Sequence, residues 1–523
     1  MITDPATITR NAGEHSHHFH GGLRLRHHKQ ISCARPVERP PLPDLLTVPL
    51  QQHLGTAVVA SVEAGRHVLK GDALGNVDCD GGVNVHAPTS GTVVAVEEQP
   101  MSHPSGLPGP CVLIRPDGDD RWCERRPIED WRSLSTEALL RALCCAGITG
   151  LGGAVFPTHT KAELGRDAGI HTLLLNGAEC EPFISCDEML MREEPEKIVA
   201  GAQILQHITG AEKTIIAIED QMGAVRKALL GAINRSGADD ISLAKIPSIY
   251  PEGGERQLIQ LLTGQEVPAG GFPADIGLLC QNVATAAAVA DAFLDGKPLL
   301  ERYVTVTGSG VAEPRNLLAM IGTPFSHLVA QCGGYTPEAA RIIVGGPMMG
   351  FSLSSDQQPV VKAANCILVL TREDIEATQP EMPCIRCGEC ARVCPAQLLP
   401  QQLHWQIKNA QWEDAVAYSL GACIECGCCD FVCPSHIPLV EWFRFGKSEL
   451  RNQAQERRTA EAARGRHLAR DERLQREKQQ RRARIARKKQ ALMDKSQQRK
   501  SVALAIARAG SKKTAKPPEE AGS

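Results

Sequence analysis

Two cysteine runs in the last third of the chain constrain its fold more than any other feature. Each run follows the spacing C-x2-C-x2-C-x3-C-P, which holds a cubane [4Fe–4S] cluster. Three closely spaced thiolates can bind three corners of one cube, and the fourth, after a longer step, points to the neighbouring cube. The spacing therefore predicts two clusters side by side in a chain that moves electrons singly. The cysteines are Cys384, Cys387, Cys390 and Cys394 in the first run and Cys423, Cys426, Cys429 and Cys433 in the second.

The crossing of the fourth ligands decides which cysteines share a cluster. Cys428 lies off register and is interpreted as a packed neighbour rather than a ligand. Zinc and disulfides are the alternatives, but structural zinc usually uses cysteine pairs separated by a dozen or more residues, often with histidine. We assign cluster I to Cys384, Cys387, Cys390 and Cys433, and cluster II to Cys423, Cys426, Cys429 and Cys394.

The composition excludes several other classes of protein. A chain of 523 residues should form several domains. Aromatic residues make up only 4%, which disfavours base-stacking platforms for nucleic acid. No apolar stretch is long enough to span a bilayer, and the first 26 residues lack an apolar signal core, so we expect a cytoplasmic chain. The other twelve of its 20 cysteines are then expected to stay reduced and mostly buried.

Both ends of the chain differ from its body. The N-terminal arm, residues 1–40, contains His15, His17, His18, His20, His27 and His28, which we interpret as a solvated or docking segment rather than a metal site. From residue 447 onward there are 23 Lys and Arg against 9 Asp and Glu. Residues 446–523 are therefore predicted to be a basic tail, helical and then disordered from 512, that is either solvated or docks on anionic lipid, an acidic partner or nucleic acid. Nucleic acid is the weakest of these options because stacking aromatic residues are absent from the tail.

Residues 41–120 show short β-like runs with glycine and proline turns. The segment from Val85 to Val94 resembles the barrel-sandwich fold of biotinyl and lipoyl carrier domains. Those carriers present a modified lysine at a turn that here runs from Asp78 to Gly82 and contains no lysine. The resemblance therefore implies a structural module without a swinging arm.

The middle of the chain alternates helix and strand signals. Between residues 125 and 300 this βαβ pattern predicts a parallel sheet covered on both faces, whose ligands bind at the carboxyl ends of the strands. Residues 301–372 resemble a β-grasp domain of the soluble-ligand-binding kind, and residues 375–445 form the predicted two-cluster ferredoxin domain. The expected fold class is a multidomain α/β protein with a Rossmann-like flavin domain.

A glycine-rich loop in the α/β region is the candidate cofactor site. Glycines let a backbone approach a phosphate or a flat ring closely, but such a loop alone indicates a nucleotide only weakly. Together with three later segments it resembles the flavin-binding subunit of respiratory complex I, which implies FMN and NADH binding. The matching residues are Gly150, Gly152, Gly153, Phe156 and Lys161, then Asn176, Glu179 and Glu181, then Tyr250, Gly253 and Glu255, then Asn282 and Thr285.

Three departures from that family weaken the NADH part of the resemblance. The arginine of its glycine loop is Leu151 here, the aspartate of its second segment is Ala178, and one glutamate of its third segment is Gly254. In this resemblance, Glu179, Glu181 and Glu255 could orient a nicotinamide.

The complete order of domains resembles the RnfC family, the C subunits of Rnf-type ion-translocating electron transport complexes. That resemblance implies a translocase subunit bound peripherally to the cytoplasmic side of a cell inner membrane, in a six-subunit assembly. Its partners would be integral membrane and other electron-transfer subunits, NADH and a ferredoxin-type protein, without nucleic acid. The alternatives are an iron–sulfur relay scaffold without flavin and the flavin subunit of a soluble NADH dehydrogenase.

Overall fold

The computed structural model of the chain describes residues 17–55, 57–77, 79, 81–375 and 380–512. These residues divide into two compact units, which meet between Arg444 and Phe445. Among the helices that they form, none combines the length and the apolar composition needed to cross a bilayer.

The first module is a barrel-sandwich of two antiparallel sheets. Its strands pair in the orders β1-β7-β6-β3 and β2-β4-β5. Leu46, Val48, Val112 and Ile114 alternate inward along β1 and β7 and are fully buried between the sheets. The strands are β1 (Leu46–Pro49), β2 (Val59–Ala60), β3 (His67–Val68), β4 (Ala73–Asn76), β5 (Val85–His86), β6 (Gly91–Pro100) and β7 (Pro108–Pro116).

The second module is the predicted parallel sheet, which is confirmed. Its four strands pair in the order β10-β9-β8-β11, all parallel. The Ser135 hydroxyl accepts a hydrogen bond from the Ala138 amide and so caps the first helix, as its position predicts. The elements are α1 (Thr136–Cys145), α2 (Thr158–Asp167), β8 (Thr172–Asn176), α3 (Cys186–Glu193), α4 (Pro195–Thr209), β9 (Lys213–Glu219), α5 (Gly223–Ser236), β10 (Ile241–Ile246), α6 (Glu255–Thr263), β11 (Leu278–Asn282) and α7 (Val283–Leu294).

The third module is a mixed sheet with one helix, as expected for a small α+β domain. Its strands pair in the order β13-β12-β16-β14-β15, and Phe325 and Leu328 of the helix are fully buried against it. The multidomain α/β fold class is therefore confirmed. The elements are β12 (Glu301–Thr307), β13 (Arg315–Met320), α8 (Phe325–Gln331), β14 (Ala339–Val344), β15 (Phe351–Ser352) and β16 (Cys366–Thr371).

The cysteine-rich region is a pair of short helices joined by a helical link. Each short helix begins just after the glycine of its cysteine run. The predicted helical tail is confirmed as far as Lys512. The rest of the tail lies outside the described residues, and the docking role of the tail stays a prediction. Residues 455–511 of this tail are exposed. The helices are α9 (Glu389–Arg392), α10 (Pro400–Lys408), α11 (Trp412–Ala417), α12 (Cys428–Phe431) and α13 (Leu439–Lys512).

The N-terminal arm, expected to be a solvated or docking segment, packs against the α/β domain around Lys29. Lys29 is buried, and its ammonium lies 3.0 Å from the Glu219 carboxylate and donates to the Glu179 carbonyl oxygen at 2.6 Å. Burial alone would lower the pKa of Lys29, but the Glu219 charge raises it above its usual range. The arm therefore supplies the counter-charge for a buried carboxylate. His15 lies outside the described residues.

The expectation that all twelve remaining cysteines are reduced is wrong. Cys79 and Cys144 form a disulfide between the barrel-sandwich module and the end of α1. Their separation of 65 residues hides this pairing in the sequence. The fold brings the two sulfurs together because the Asn84 amide donates to the Cys144 carbonyl oxygen and holds the two segments side by side.

Candidate cluster and flavin site

Eight thiols converge in two groups of four, and each group lines one pocket. The first pocket is lined by the cluster I cysteines with Gln401, Ile437 and Leu439, and the second by the cluster II cysteines with Val440 and Phe443. The fourth cysteine of each run joins the pocket of the other run, as the crossed assignment requires. None of these eight cysteines is in a disulfide. Four convergent thiols in an otherwise apolar pocket fit a four-iron cluster.

Backbone amides of the two runs point at the sulfurs. The amides of Arg386 and Glu425 each donate to a cysteine sulfur at 3.4 Å, Cys384 in the first run and Cys423 in the second. Both donors have a φ of 57°, in the left-handed region, which turns the peptide toward the sulfur. Hydrogen bonds of this kind stabilise thiolate ligands and tune cluster potentials.

Cys428 occupies a different position from the eight cysteines assigned as ligands. Its side chain is fully buried in an apolar cluster with Tyr250 and Cys426, while it also reaches the wall of the second pocket. The adjacent Cys429 occupies the position in the spacing that matches Cys390 of the first run. Cys428 therefore packs between the cluster II pocket and the α/β domain.

The four flavin-type segments meet at the carboxyl edge of the parallel sheet. The Asn176 side chain, at the end of β8, donates to the Gly253 carbonyl oxygen at 2.9 Å. The Lys161 ammonium of α2 lies 2.7 Å from the Glu255 carboxylate. These contacts join three segments that are far apart in sequence, at the edge where parallel α/β sheets bind ligands.

The glycine loop is held in a fixed shape beside the last segment. Its two ends close through the Gly150 amide, which donates to the Phe156 carbonyl oxygen at 2.8 Å. The Leu151 amide donates to the Thr285 hydroxyl at 2.9 Å. A Cβ atom on Gly152 would lie 3.4 Å from the Asn282 Cβ atom, whereas Gly153, with a φ of 103°, has open space at that position. The loop thus presents bare backbone next to Asn282.

Two of the predicted glutamates are used inside the fold. The Glu179 carboxylate accepts hydrogen bonds from the amides of Asp187 and Glu188, both at 2.8 Å, and so caps α3. The Glu181 carboxylate accepts from the amides of Met348 and Met349 in the β-grasp domain. Burial raises the pKa of Glu181 to about 7. In the conformation described, these carboxylates position neighbouring segments, while Glu255 is half-exposed at the sheet edge.

Buried polar atoms without partners lie in the same segments. Such atoms are rare in native proteins and indicate a bound water, ion or ligand. Their mixture of donors and acceptors fits a polar, flat ligand such as FMN, which offers both. Among the buried polar atoms of the described chain that lack a partner, five lie in or next to these segments: the hydroxyls of Thr149 and Thr158, the Gln281 amide nitrogen, and one side-chain oxygen each of Glu252 and Gln257.

Glu252 is a site residue that sequence reasoning missed. It lies between Tyr250 and Gly253, it is 1% exposed, and burial raises the pKa of its carboxyl to about 8. The only sequence signal is its position inside the third flavin-type segment, and no pattern of spacing marks its burial.

One hydrogen bond joins the flavin-type segments to the cluster II cysteines. The Tyr250 hydroxyl donates to the Cys426 carbonyl oxygen at 2.6 Å, and the tyrosine is 2% exposed. Ile424 and Cys180 pack around this contact, so each of the two sites contributes side chains to one apolar cluster.

Comparison with protein families assigns the same modules. The RnfC barrel sandwich hybrid domain matches residues 17–119, and the Nuo51 FMN-binding domain matches residues 144–291. The SLBB domain matches residues 303–352, and the 4Fe-4S dicluster domain matches residues 383–437.

Curated relatives extend the similarity over most of the chain. The chain is 47% identical over 458 residues to the C subunit of the ion-translocating oxidoreductase complex of Pseudomonas aeruginosa PAO1, a match that covers 88% of this chain and 59% of that protein. It is 45% identical over 483 residues to the protein of the same name from Yersinia pestis bv. Antiqua, with coverage of 92% and 77%. The chain therefore spans a little under two thirds of the length of some of its relatives.

A solved structure, the NAD+-reducing [NiFe]-hydrogenase in the H2-reduced state, is also similar. It matches with a TM-score of 0.43 and 22% identity, over 58% of this chain and 61% of that one. Similarity at this level supports no further argument.

Proposed function

The chain belongs to the RnfC family, the C subunits of ion-translocating oxidoreductase complexes, and we propose that it is the peripheral electron-transfer subunit of such a membrane complex. In this proposal it accepts electrons from NADH at a flavin and passes them to a ferredoxin-type partner, or carries them in reverse. Integral membrane subunits of a six-subunit assembly at the cytoplasmic side of an inner membrane would use that transfer to move ions.

The single observation that best supports this function is the contact between Tyr250 and Cys426. Electron transfer needs the donor and acceptor sites to lie close together and to keep a fixed distance. The hydrogen bond of 2.6 Å and the apolar cluster around it fix the third flavin-type segment against the second cysteine run.

The chain's own residues would hold FMN at the sheet edge. The bare backbone of Gly152 and Gly153 allows the close approach of a ring or phosphate, and Asn282 lies beside it. The buried, partnerless oxygens of Glu252 and Gln257 are suited to hydrogen bonds with polar ring atoms. FMN, when bound, supplies the chemistry that accepts two electrons together and releases them singly.

The placement of the two cysteine groups gives the proposed relay an order. Cys426 of cluster II is buried against the third flavin-type segment. Cys384 and Cys387 of cluster I are exposed. Cluster II would therefore be nearest the flavin, and cluster I nearest an external partner.

Cofactor analysis of the anaerobically purified full chain tests this function. We expect about eight irons with matching acid-labile sulfide per chain, from two four-iron clusters. We also expect one extractable FMN. Full iron without flavin would favour the relay scaffold over the proposed function. Zinc in place of iron would contradict the function outright.

A further inference from the structure

The two cysteine runs repeat each other's backbone. An offset of 39 residues places Ile385 on Ile424 and Gly388 on Gly427. The two glycines have φ values of 80° and 79°, and each precedes a four-residue helix. Because the local geometry is the same, any difference in burial between matched positions reports what covers each run.

The second run is covered by the flavin-side domains. Ile424 packs into the apolar cluster that contains Tyr250 and Met348. A Cβ atom on Gly427 would lie only 2.8 Å from the Met348 carbonyl oxygen. Cys426, between them in sequence, is 7% exposed.

The matched positions of the first run are bare. Ile385 is 68% exposed and the nearby Met382 is 56% exposed. A Cβ atom on Gly388 would meet no described atom within 4 Å. Cys387, the counterpart of Cys426, is exposed. Exposed apolar side chains beside a redox ligand are typical of an interaction surface rather than of a free solvent face.

The charges of the two runs also differ. Glu425 of the second run pairs with Arg444 at 3.0 Å. The matched residue of the first run is Arg386, which is exposed and makes no ion pair within the described part of the chain. An unpaired guanidinium next to exposed apolar side chains favours a partner that contributes carboxylates.

We propose that this bare face, defined by Met382, Ile385, Arg386 and Gly388, docks an acidic protein that has its own exposed iron–sulfur cluster. The partner would cover the first run as the flavin-side domains cover the second, and its cluster would face Cys384 and Cys387. The inference rests on the proposed function and names the surface at which the partner binds.

Binding of an acidic bacterial [4Fe–4S] ferredoxin to the full, iron-loaded chain tests the surface directly. Isothermal titration at low salt should show Met382→Asp and Arg386→Glu raising the Kd at least tenfold. The effect of Arg386→Glu should shrink in 0.5 M salt, because exposed charges are then screened. Leu107→Asp is the matched control, since Leu107 is a similarly exposed residue of the barrel-sandwich module and should leave the Kd unchanged.

A second measurement separates docking from cluster loss. After reduction with dithionite, Met382→Asp, whose side chain lies outside the cysteine run, should transfer electrons to ferricyanide, a small acceptor, within twofold of the wild-type rate, while its rate with the ferredoxin falls tenfold. Equal ferredoxin affinity in wild type and Met382→Asp, with full iron in both, would overturn the docking surface and leave the proposed function standing. Absence of iron from the wild-type chain would instead defeat the proposed function.

Discussion

The Tyr250 hydroxyl donates a hydrogen bond of 2.6 Å to the carbonyl oxygen of Cys426, a residue 176 positions later in the chain. This contact ties the flavin-type third segment to a cysteine assigned to cluster II. The Tyr250 hydroxyl and the Cys426 carbonyl oxygen are both buried, so neither can replace this hydrogen bond with one to water.

Tyr250→Phe should therefore affect both stability and cluster II. Removing the hydroxyl leaves the buried carbonyl without a donor, which should lower the free energy of unfolding by about 1–2 kcal/mol. The electron paramagnetic resonance signal of cluster II should shift, while that of cluster I stays unchanged. The matched control is Tyr335→Phe, whose half-exposed hydroxyl donates to Asp356 and should change neither quantity. An unchanged cluster II signal in Tyr250→Phe would contradict the proposed coupling.

Single cysteine variants test the crossed ligand assignment. Cys433→Ala and Cys384→Ala should each reduce the iron content from about eight to about four per chain, and both should lose the same resonance signal. Cys423→Ala should lose the other signal. Cys428→Ala should keep full iron, because its side chain packs outside the assigned set. If Cys433→Ala and Cys423→Ala lost the same signal, the clusters would not exchange their fourth ligands.

The raised pKa of Glu252 predicts that the folded chain loses stability as the pH rises. Its pKa in the folded chain is about 8 because of burial, above the usual value of 4.5, so the folded state favours the protonated form. Its contribution to stability is present below pH 4.5 and is lost as the pH rises toward 8. Relative to wild type, Glu252→Gln should gain roughly 3 kcal/mol between pH 5 and pH 8. Chemical unfolding in this window measures the difference, and a difference between wild type and Glu252→Gln that does not change with pH would contradict the prediction.

The lowered pKa of Lys362 predicts that, at higher pH, the folded chain gains stability as the pH rises. Its ammonium is buried and donates to the Gly147 carbonyl oxygen at 2.7 Å, and burial lowers its pKa from 10.5 to about 7. The destabilisation caused by burying the charged form of Lys362 is absent above pH 10.5 and complete below pH 7. Wild type should therefore lose roughly 3 kcal/mol relative to Lys362→Met between pH 10 and pH 7. Lys408→Met, which removes a half-exposed lysine, is the control, and parallel unfolding curves for wild type and Lys362→Met would contradict the prediction.

Local spacing made the cysteine groups and the sheet edge predictable. The crossed quartets follow from the C-x2-C-x2-C-x3-C-P pattern, whose geometry is set within a dozen residues. The meeting of Asn176 and Asn282 follows from parallel strands, because their carboxyl ends share one edge.

Long-range burial could not be predicted in this way. Lys29, Cys79 and Lys362 look like surface or spare residues in the sequence, yet each lies between modules that are far apart along the chain. Lys29 neutralises Glu219, Cys79 bonds to Cys144, and Lys362 reaches Gly147 at the start of the glycine loop. No periodic pattern records such contacts, since they depend on how separate domains pack.

The most direct test of the relay compares two single-cluster variants after rapid mixing with NADH. Cys433→Ala retains only cluster II, and Cys394→Ala retains only cluster I. We expect freeze-quenched samples of Cys433→Ala to show the reduced-cluster resonance as fast as wild type, and those of Cys394→Ala to show it at least tenfold more slowly. Equally fast reduction of the remaining cluster in both variants, or faster reduction in Cys394→Ala, would contradict the order in which the Tyr250 contact places the two clusters.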